Sequence, residues 1–435
     1  MSTIPVSGQL VLRDASAAQL EQAVAENHRQ LFCDNARALG GVVNVADGLT
    51  YTYTPANGSA VVFPSLTSGN AGAQLDAMMD FYRANQAQHV GYWSLAPTAP
   101  ADVGAYLLAR GFQPGWEPCW MALDLDVAQT DELAPAKLEI RASNDTPVHD
   151  VEGLPYNDTG GPISDALFHT WPEKVQRFVA FLDGVIAGQC CLFFTTGANG
   201  IAGMYSVGVV PSMRRKGIGK AIVLAACRYA KEHGYQYVML NANGMGRPVY
   251  ERAGFQVIGH GITWWLMGQR YITHPPARHI VSLAEATGRG EIAALEKMGA
   301  SATPEELNTP LTNGMTLLQL AAHCRQPAAA EWLIEHGASL TALDAWDLGW
   351  KERAAALLAA HPPEVNRTYF DWQGTLLHIA AQRGDIALAQ LALNAGVDLS
   401  IKDKEHDAIA LGWAYYFHRR EIIALIEKHS AGSGS

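Results

Sequence analysis

The stretch Ile201–Phe255, IAGMYSVGVVPSMRRKGIGKAIVLAACRYAKEHGYQYVMLNANGMGRPVYERAGF, constrains the fold more than any other. Its spacing predicts a strand, a glycine-rich turn, a helix, a second strand and a short helix. Ile201–Val209 is rich in β-formers and is closed by Pro211. Arg214-Arg215-Lys216-Gly217-Ile218-Gly219-Lys220 then leads into an apolar-periodic helix over Ala221–His233, with Gly234 at its C-terminal end. Tyr235–Leu240 reads as a buried strand, and Arg247–Arg252 as a helix ended by Ala253-Gly254-Phe255.

Such a turn suits an anion. Glycines at 217 and 219 let backbone approach a ligand, and the first amides of the following helix lack intrahelical partners. The partial positive charge of a helix N-terminus, with Arg214, Arg215 and Lys216 beside it, suits a pyrophosphate. Neither common phosphate-loop formula is present here.

The pattern that is present is Arg-x-x-Gly-x-Gly after a strand ending Val-x-Val-x-Pro. Asn-x-x-Gly-x-x-x-Tyr and Gly-Phe follow downstream. In these four elements residues 137–270 resemble the GNAT family of acetyl-CoA-dependent N-acyltransferases. The resemblance implies that acetyl-CoA is the acyl donor, its pyrophosphate cradled by the amides of Arg215, Lys216, Gly217, Ile218, Gly219 and Lys220 beside Arg214. It implies that backbone groups of Val207 and Val209 bond the pantetheine arm, that Asn243 touches the same arm, and that Tyr250 protonates the departing thiolate.

Composition narrows the class. At 435 residues the chain exceeds one core and fits about two to four domains. A net charge of −11 argues against nucleic-acid binding. The six cysteines, at 33, 119, 190, 191, 227 and 324, lack metal-type spacing, so reduced thiols in a cytoplasmic protein without a metal are expected. No apolar run approaches membrane-spanning length, and no membrane partner is expected.

Residues 1–126 predict helices over Ala17–Leu39, Ala73–Asn85 and Asp102–Ala109, with strands between them and a last strand at Cys119–Leu125. Ala109-Arg110-Gly111-Phe112 before that strand echoes Arg252-Ala253-Gly254-Phe255, which marks a degenerate second copy of the same fold. Leu107 stands where the other copy has Tyr250, and Thr67–Gly72 has glycines without a basic neighbour, so this copy is not expected to hold acetyl-CoA. It either walls the acceptor pocket or is a purely structural partner.

Asp126–Ala136 reads as a polar linker into the domain at 137–270. Val148–Lys174, with Gly153, Pro155, Gly160, Gly161 and Pro162, would cover the acceptor. Phe168, His169, Trp171, Tyr205, Trp264 and Trp265 are the candidate pocket residues. The resemblance implies a carboxylate base on the strand Met204-Tyr205-Ser206, which offers none; Tyr205 through a water, His169, solvent, or an amine that arrives neutral is the substitute.

After Pro275-Pro276 the pattern changes to paired alanine- and leucine-rich helices over residues 279–430. Asn313–Ala322 matches Trp372–Ala381, and Thr316 to Thr375 and Gly337 to Gly396 are each 59 residues apart. This resembles an ankyrin array of about five units of ~33 residues, with a truncated one at Trp346–Glu364.

The expected architecture is thus α/β, a mixed-sheet α+β GNAT fold in two copies, followed by an all-α ankyrin-repeat solenoid. The leading function is N-acetylation of a small-molecule amine, as in detoxification or antibiotic resistance. The alternatives are a protein N-acetyltransferase whose repeats recruit the target, and a non-catalytic scaffold that binds CoA. A protein partner or self-association through the repeats is the further expectation.

Overall fold

The computed structural model describes residues 10–55, 58–132, 134–157, 163–299 and 302–432. Gly160, Gly161 and Pro162 lie outside these. Two compact units make up the chain: Met1–Val103 with Phe112–Thr273, and Gly104–Gly111 with His274–Ser435.

The first half of the first unit contains α1 (Ala17–Ala38), β1 (Val42–Ala46), β2 (Leu49–Tyr53), β3 (Ser59–Val62), α2 (Ala71–Ala84) and β4 (His89–Leu95). Helix α3 (Val103–Ala109) comes next in the chain, then β5 (Gln113–Pro114) and β6 (Cys119–Asp124). A capping box of Ser16 and Gln19 starts α1, whose apolar face buries Leu20, Val24 and Leu31.

The second half contains β7 (Leu138–Ala142), α4 (Asp165–Thr170), β8 (Val175–Leu182), β9 (Val185–Phe194), β10 (Ala202–Val209), α5 (Ile218–Glu232), β11 (Tyr237–Ala242), α6 (Arg247–Arg252), β12 (Gln256–Met267) and α7 (Gly268–Thr273). Strands β8 and β9 form a hairpin because Asp183 and Gly184 both take the positive φ that a tight, right-twisted turn requires. Buried residues of β6, β8, β9 and β11 pack on Ile222, Val223 and Cys227 of α5.

The strands form one sheet in the order β1-β2-β3-β4-β12-β6-β11-β10-β9-β8-β7, with β5 on β12. Its centre is an exchange. β6, from the first half, pairs antiparallel with β11 from Tyr237↔Asp124 to Ala242↔Cys119. β12, from the second half, pairs with β4 from Gly261↔Leu95 to Met267↔His89. Each half therefore completes its sheet with the other's last strand, and residues 126–137 of the sequence lie between β6 and β7.

The second unit contains α8 (Arg278–Arg289), α9 (Ile292–Gly299), α10 (Pro304–Asn308), α11 (Leu317–His323), α12 (Pro327–Glu335), α13 (Ala342–Asp347), α14 (Lys351–Ala360), α15 (Leu376–Arg383), α16 (Ile386–Asn394), α17 (Ala410–Tyr416) and α18 (Arg420–Gly432). The pairs α8/α9, α11/α12, α13/α14, α15/α16 and α17/α18 are the repeats. Thr316, Thr341 and Thr375 each cap the first helix of a pair, with Gln319, Asp344 and His378 reaching back. The short repeat keeps both helices. What it lacks is the long connection before α13, where His336–Thr341 suffices; the loops before α15 and α17 instead carry the bridges Tyr369↔Gly374 and Lys402↔Ile409. Leu108 and Ala109 of α3 are buried with Leu283, Leu307 and Leu311 in this second unit.

Candidate active site

The site begins where two central strands part. β10 runs parallel to β11 only at Ala202↔Val238, Gly203↔Met239 and Met204↔Leu240. It stays paired with β9 as far as Val209↔Gly188, past an irregularity between Tyr205 and Gly208 where Ser206 has φ 52°. The Val210 amide donates to Ala187 O at 2.9 Å. Strand alternation then turns the backbone groups of Val207 and Val209 away from β9, into the gap. The Val209 carbonyl accepts from Arg214 Nε at 3.2 Å.

A 3-10 turn at Pro211–Met213 leads into the glycine turn, and Gly217 takes a left-handed φ of 79° as the N-cap of α5. The helix thus opens at Ile218, a turn earlier than its periodicity suggests. No side chain caps it, so its first amides remain open donors. Arg214, Arg215, Gly217, Ile218, Gly219 and Lys220 line one cleft of about 1620 Å³ together with Val207, Val209, Asn243 and Tyr250. Lys216 is exposed and outside the lining, and Lys220 is ion-paired with Glu132 of the linker.

Tyr250 is 7% exposed on α6. Burial, and then the proximity of Cys190 and Tyr156, hold its phenol pKa well above the usual value, so it keeps its proton. Its ring packs against Phe255 at 6.0 Å between centroids. Asn243 Oδ1 accepts from the Gly246 amide at 2.7 Å and so orders the start of α6. A Cβ on Gly246 would meet Tyr250 Cε2 at 2.9 Å, and glycine there is what lets the tyrosine sit against this turn.

Of the candidate acceptor residues, Tyr205 and Trp265 line the cleft; Phe168, His169, Trp171 and Trp264 do not. Phe168 is buried with Leu31, Ile163 and Phe193, under the Arg177 guanidinium at 4.4 Å. His169 is exposed, its Nδ1 on the Asp165 carbonyl at 2.7 Å. Trp171 ends α4, with Lys174 over its ring at 5.5 Å. Trp264 lies edge-on to Tyr92 at 5.4 Å, because neighbours on β12 face opposite sides of the sheet.

The residues that sequence reasoning missed come from the first half: His28, Phe32, Trp93 and Trp116. One signal was available. Asn27 and His28 are polar residues on the buried face of an otherwise amphipathic helix. Tyr205 Oη lies 2.6 Å from Asn27 Oδ1 and 2.9 Å from His28 Nδ1. None of Thr67–Gly72, the corresponding turn of the first half, lines the cleft.

The sequence model of the acetyltransferase (GNAT) family matches residues 146–255, and that of the ankyrin repeat matches 313–345 and 374–404. A glucosamine 6-phosphate N-acetyltransferase of Trypanosoma brucei brucei is 32% identical over 77 residues, 17% of this chain and 52% of that protein. The chain thus spans about half the length of the curated relative it matches. Among solved structures, a GCN5-related N-acetyltransferase from Kribbella flavida is 15% identical with a TM-score of 0.43, covering 55% of this chain and 95% of that one. A tandem GNAT protein from the clavulanic acid biosynthesis pathway is 18% identical with a TM-score of 0.38, covering 51% and 78%. Residues 146–255 are an acetyltransferase domain of the GNAT family, in a chain that also carries ankyrin repeats.

Proposed function

We propose that this chain is an acetyl-CoA-dependent N-acetyltransferase that modifies a primary amine of a small molecule by direct transfer in a ternary complex. One observation carries the reading: the unpaired edge at Val207–Val209, the turn at Gly217–Lys220 and the protonated Tyr250 line a single cleft. The residues fit the donor. Uncapped amides of α5 beside Arg214 and Arg215 would take the pyrophosphate, and backbone groups of Val207 and Val209 on the edge turned from β9 the amides of the pantetheine arm. Acetyl-CoA supplies an activated thioester. Tyr250 holds the proton that the departing sulfur needs.

Direct transfer is supported by Cys227, which is buried mid-helix, off the lining, with its thiol pKa pushed up by burial. Six unpaired cysteines favour the cytoplasm. Detoxification of small amines is the corresponding cellular role. The test is acetyl-CoA turnover by the full chain over amino acids, polyamines, aminoglycosides, amino sugars and lysine peptides, with products identified by mass spectrometry. Absence of acetyl-CoA binding would sink the reading.

A second reading has its own observation. The repeats expose Phe370, Tyr415 and Tyr416, a surface suited to recruiting a protein acceptor or a second copy of the chain. Under it, Tyr416→Ala lowers acetylation of protein in an extract and leaves small-amine turnover unchanged.

A further inference from the structure

The acetyltransferase reading leaves the acceptor nitrogen without a proton acceptor. Among the described residues no carboxylate lines the cleft, whose charged side chains are Arg214, Arg215, Lys220 and Arg252. A hydrogen-bond chain from α1 to β10 supplies one. Asn27 Nδ2 lies 3.2 Å from Phe193 O, 3.1 Å from Thr195 Oγ1 and 3.4 Å from Ile201 O. Carbonyl oxygens only accept, so this end of the amide is the NH2. Its Oδ1 is therefore an acceptor, and at 2.6 Å it takes the single hydroxyl proton of Tyr205. The Tyr205 oxygen is left to accept from the His28 ring at 2.9 Å, so Nδ1 carries the hydrogen. Nε2 is then a bare lone pair. His28 lines the cleft with 7% of its surface exposed, and no described group bonds Nε2.

An aromatic wall continues from that nitrogen. The Phe32 and Trp93 rings lie 5.9 and 5.6 Å from the imidazole. Trp116 meets Trp93 edge-on at 5.3 Å and stacks on Trp265 at 5.3 Å, and all four line the cleft. A polycation would find no carboxylate here, whereas a flat apolar ring would exchange water for ring faces.

We propose that His28 Nε2 takes the proton released by the acceptor amine, and that this acceptor is an amine borne on an aromatic ring system. The proposal rests on the acetyltransferase reading. The amine lone pair forms the C–N bond to the thioester carbon, the nitrogen passes its proton to Nε2, the C–S bond breaks, and the sulfur takes the Tyr250 proton. His28 then yields its proton to water and Tyr250 regains one, which leaves an amide and a free thiol.

Burial lowers the His28 pKa to about 3, so the ring is neutral at pH 7 and too weak a base to strip an ammonium ion. The groups packed against it are the Tyr205 phenol, raised by burial, and the uncharged rings of Phe32, Phe63, Trp93 and Trp120. The amine must arrive neutral, which suits a weakly basic aromatic amine; once bonded to carbon, its nitrogen is a far stronger acid.

Nitrogen-15 NMR of the histidine-labelled full chain, with His28 assigned by its loss in His28→Ala, is expected to show hydrogen on Nδ1 and none on Nε2 at pH 7. The opposite tautomer overturns the proposal. 5-Aminoindole and 4-methylaniline should exceed spermidine and glucosamine 6-phosphate by about tenfold or more in kcat/KM; preference for either non-aromatic amine overturns the acceptor class. His28→Ala should lose ~10²-fold in kcat on the ring amines, keep its acetyl-CoA Kd within about twofold by calorimetry, and recover with added imidazole. Unchanged kcat, or a loss that imidazole does not relieve, overturns the base. If His28→Ala melts early, His28→Gln takes its place in the same assays. Failure of the unmodified chain to bind acetyl-CoA would instead overturn the acetyltransferase reading, and with it this one.

Discussion

The Tyr205 hydroxyl donates to Asn27 Oδ1 at 2.6 Å, so one buried amide joins the first helix of the chain to the strand where the cleft opens. The same amide serves Phe193 O, Thr195 Oγ1 and Ile201 O. Asn27→Leu removes these bonds from a buried site; Thr195 and Ile201 keep their bonds to each other, while the Tyr205 hydroxyl loses its acceptor, and a loss on the order of 1–3 kcal/mol is expected. Urea unfolding reads it directly. An unchanged midpoint would mean the amide contributes geometry without net stability.

Tyr250→Phe removes the proton for the sulfur and little else, because the ring keeps its contact with Phe255. The expected result is a fall in kcat of ~10²-fold with acetyl-CoA affinity nearly intact. Full activity would show that the thiolate leaves unaided.

Gly219 lines the cleft, and a Cβ there meets nothing closer than 3.7 Å. Gly219→Glu should therefore fold with an unshifted melting temperature while losing acetyl-CoA binding, since its carboxylate would oppose pyrophosphate. Calorimetry separates the two effects, and unaltered affinity would remove the cofactor assignment.

His28 couples the fold to pH. Its folded pKa of about 3 lies below the ordinary 6.5, so between those values the unfolded chain holds a proton that the folded chain does not. The contribution to stability is complete above about pH 6.5 and declines as pH falls toward 3. Burial lowers His323 and His378 in the same direction in the second unit. The urea midpoint should drop between pH 7 and pH 5, less steeply in His28→Leu; equal slopes would show that His28 is not the group responsible.

Asp403 organises the loop before α17. Burial opposes its ionisation, but the Trp413 indole and the amides of His406, Ala408 and Glu405 outweigh that and hold its pKa at about 2. This contribution is complete above the ordinary 3.8 and is lost as pH falls through about 2. Asp403→Ala should cost the second unit on the order of 2–4 kcal/mol, visible as lost hydrogen-exchange protection in α17 and α18. Retained protection there would contradict it.

Short-range chemistry was the legible part. Gly217 and Gly219 ahead of a periodic helix announced the turn, and Thr316 and Thr375 at matching offsets announced the repeats. The acceptor side was read less well. Phe168 and Trp171 are aromatics of the segment expected to cover the acceptor, yet α4 turns one into a buried cluster and leaves the other beside Lys174. Trp265 and Trp264 differ by one position and face opposite sides, a choice that strand register makes and composition does not.

The order of strand, turn and helix through 201–255, the position of Tyr250 after Asn243 and the repeating helix pairs of the second unit are all written in local sequence. Those features depend on backbone propensity and on spacings within a few turns. Long-range packing alone makes β6 and β12 exchange halves, which brings Trp116 and Trp265 together, and sets His28 against Tyr205. Strand partners are chosen by burial over long separations in the chain, and no local pattern encodes which edge a strand will join.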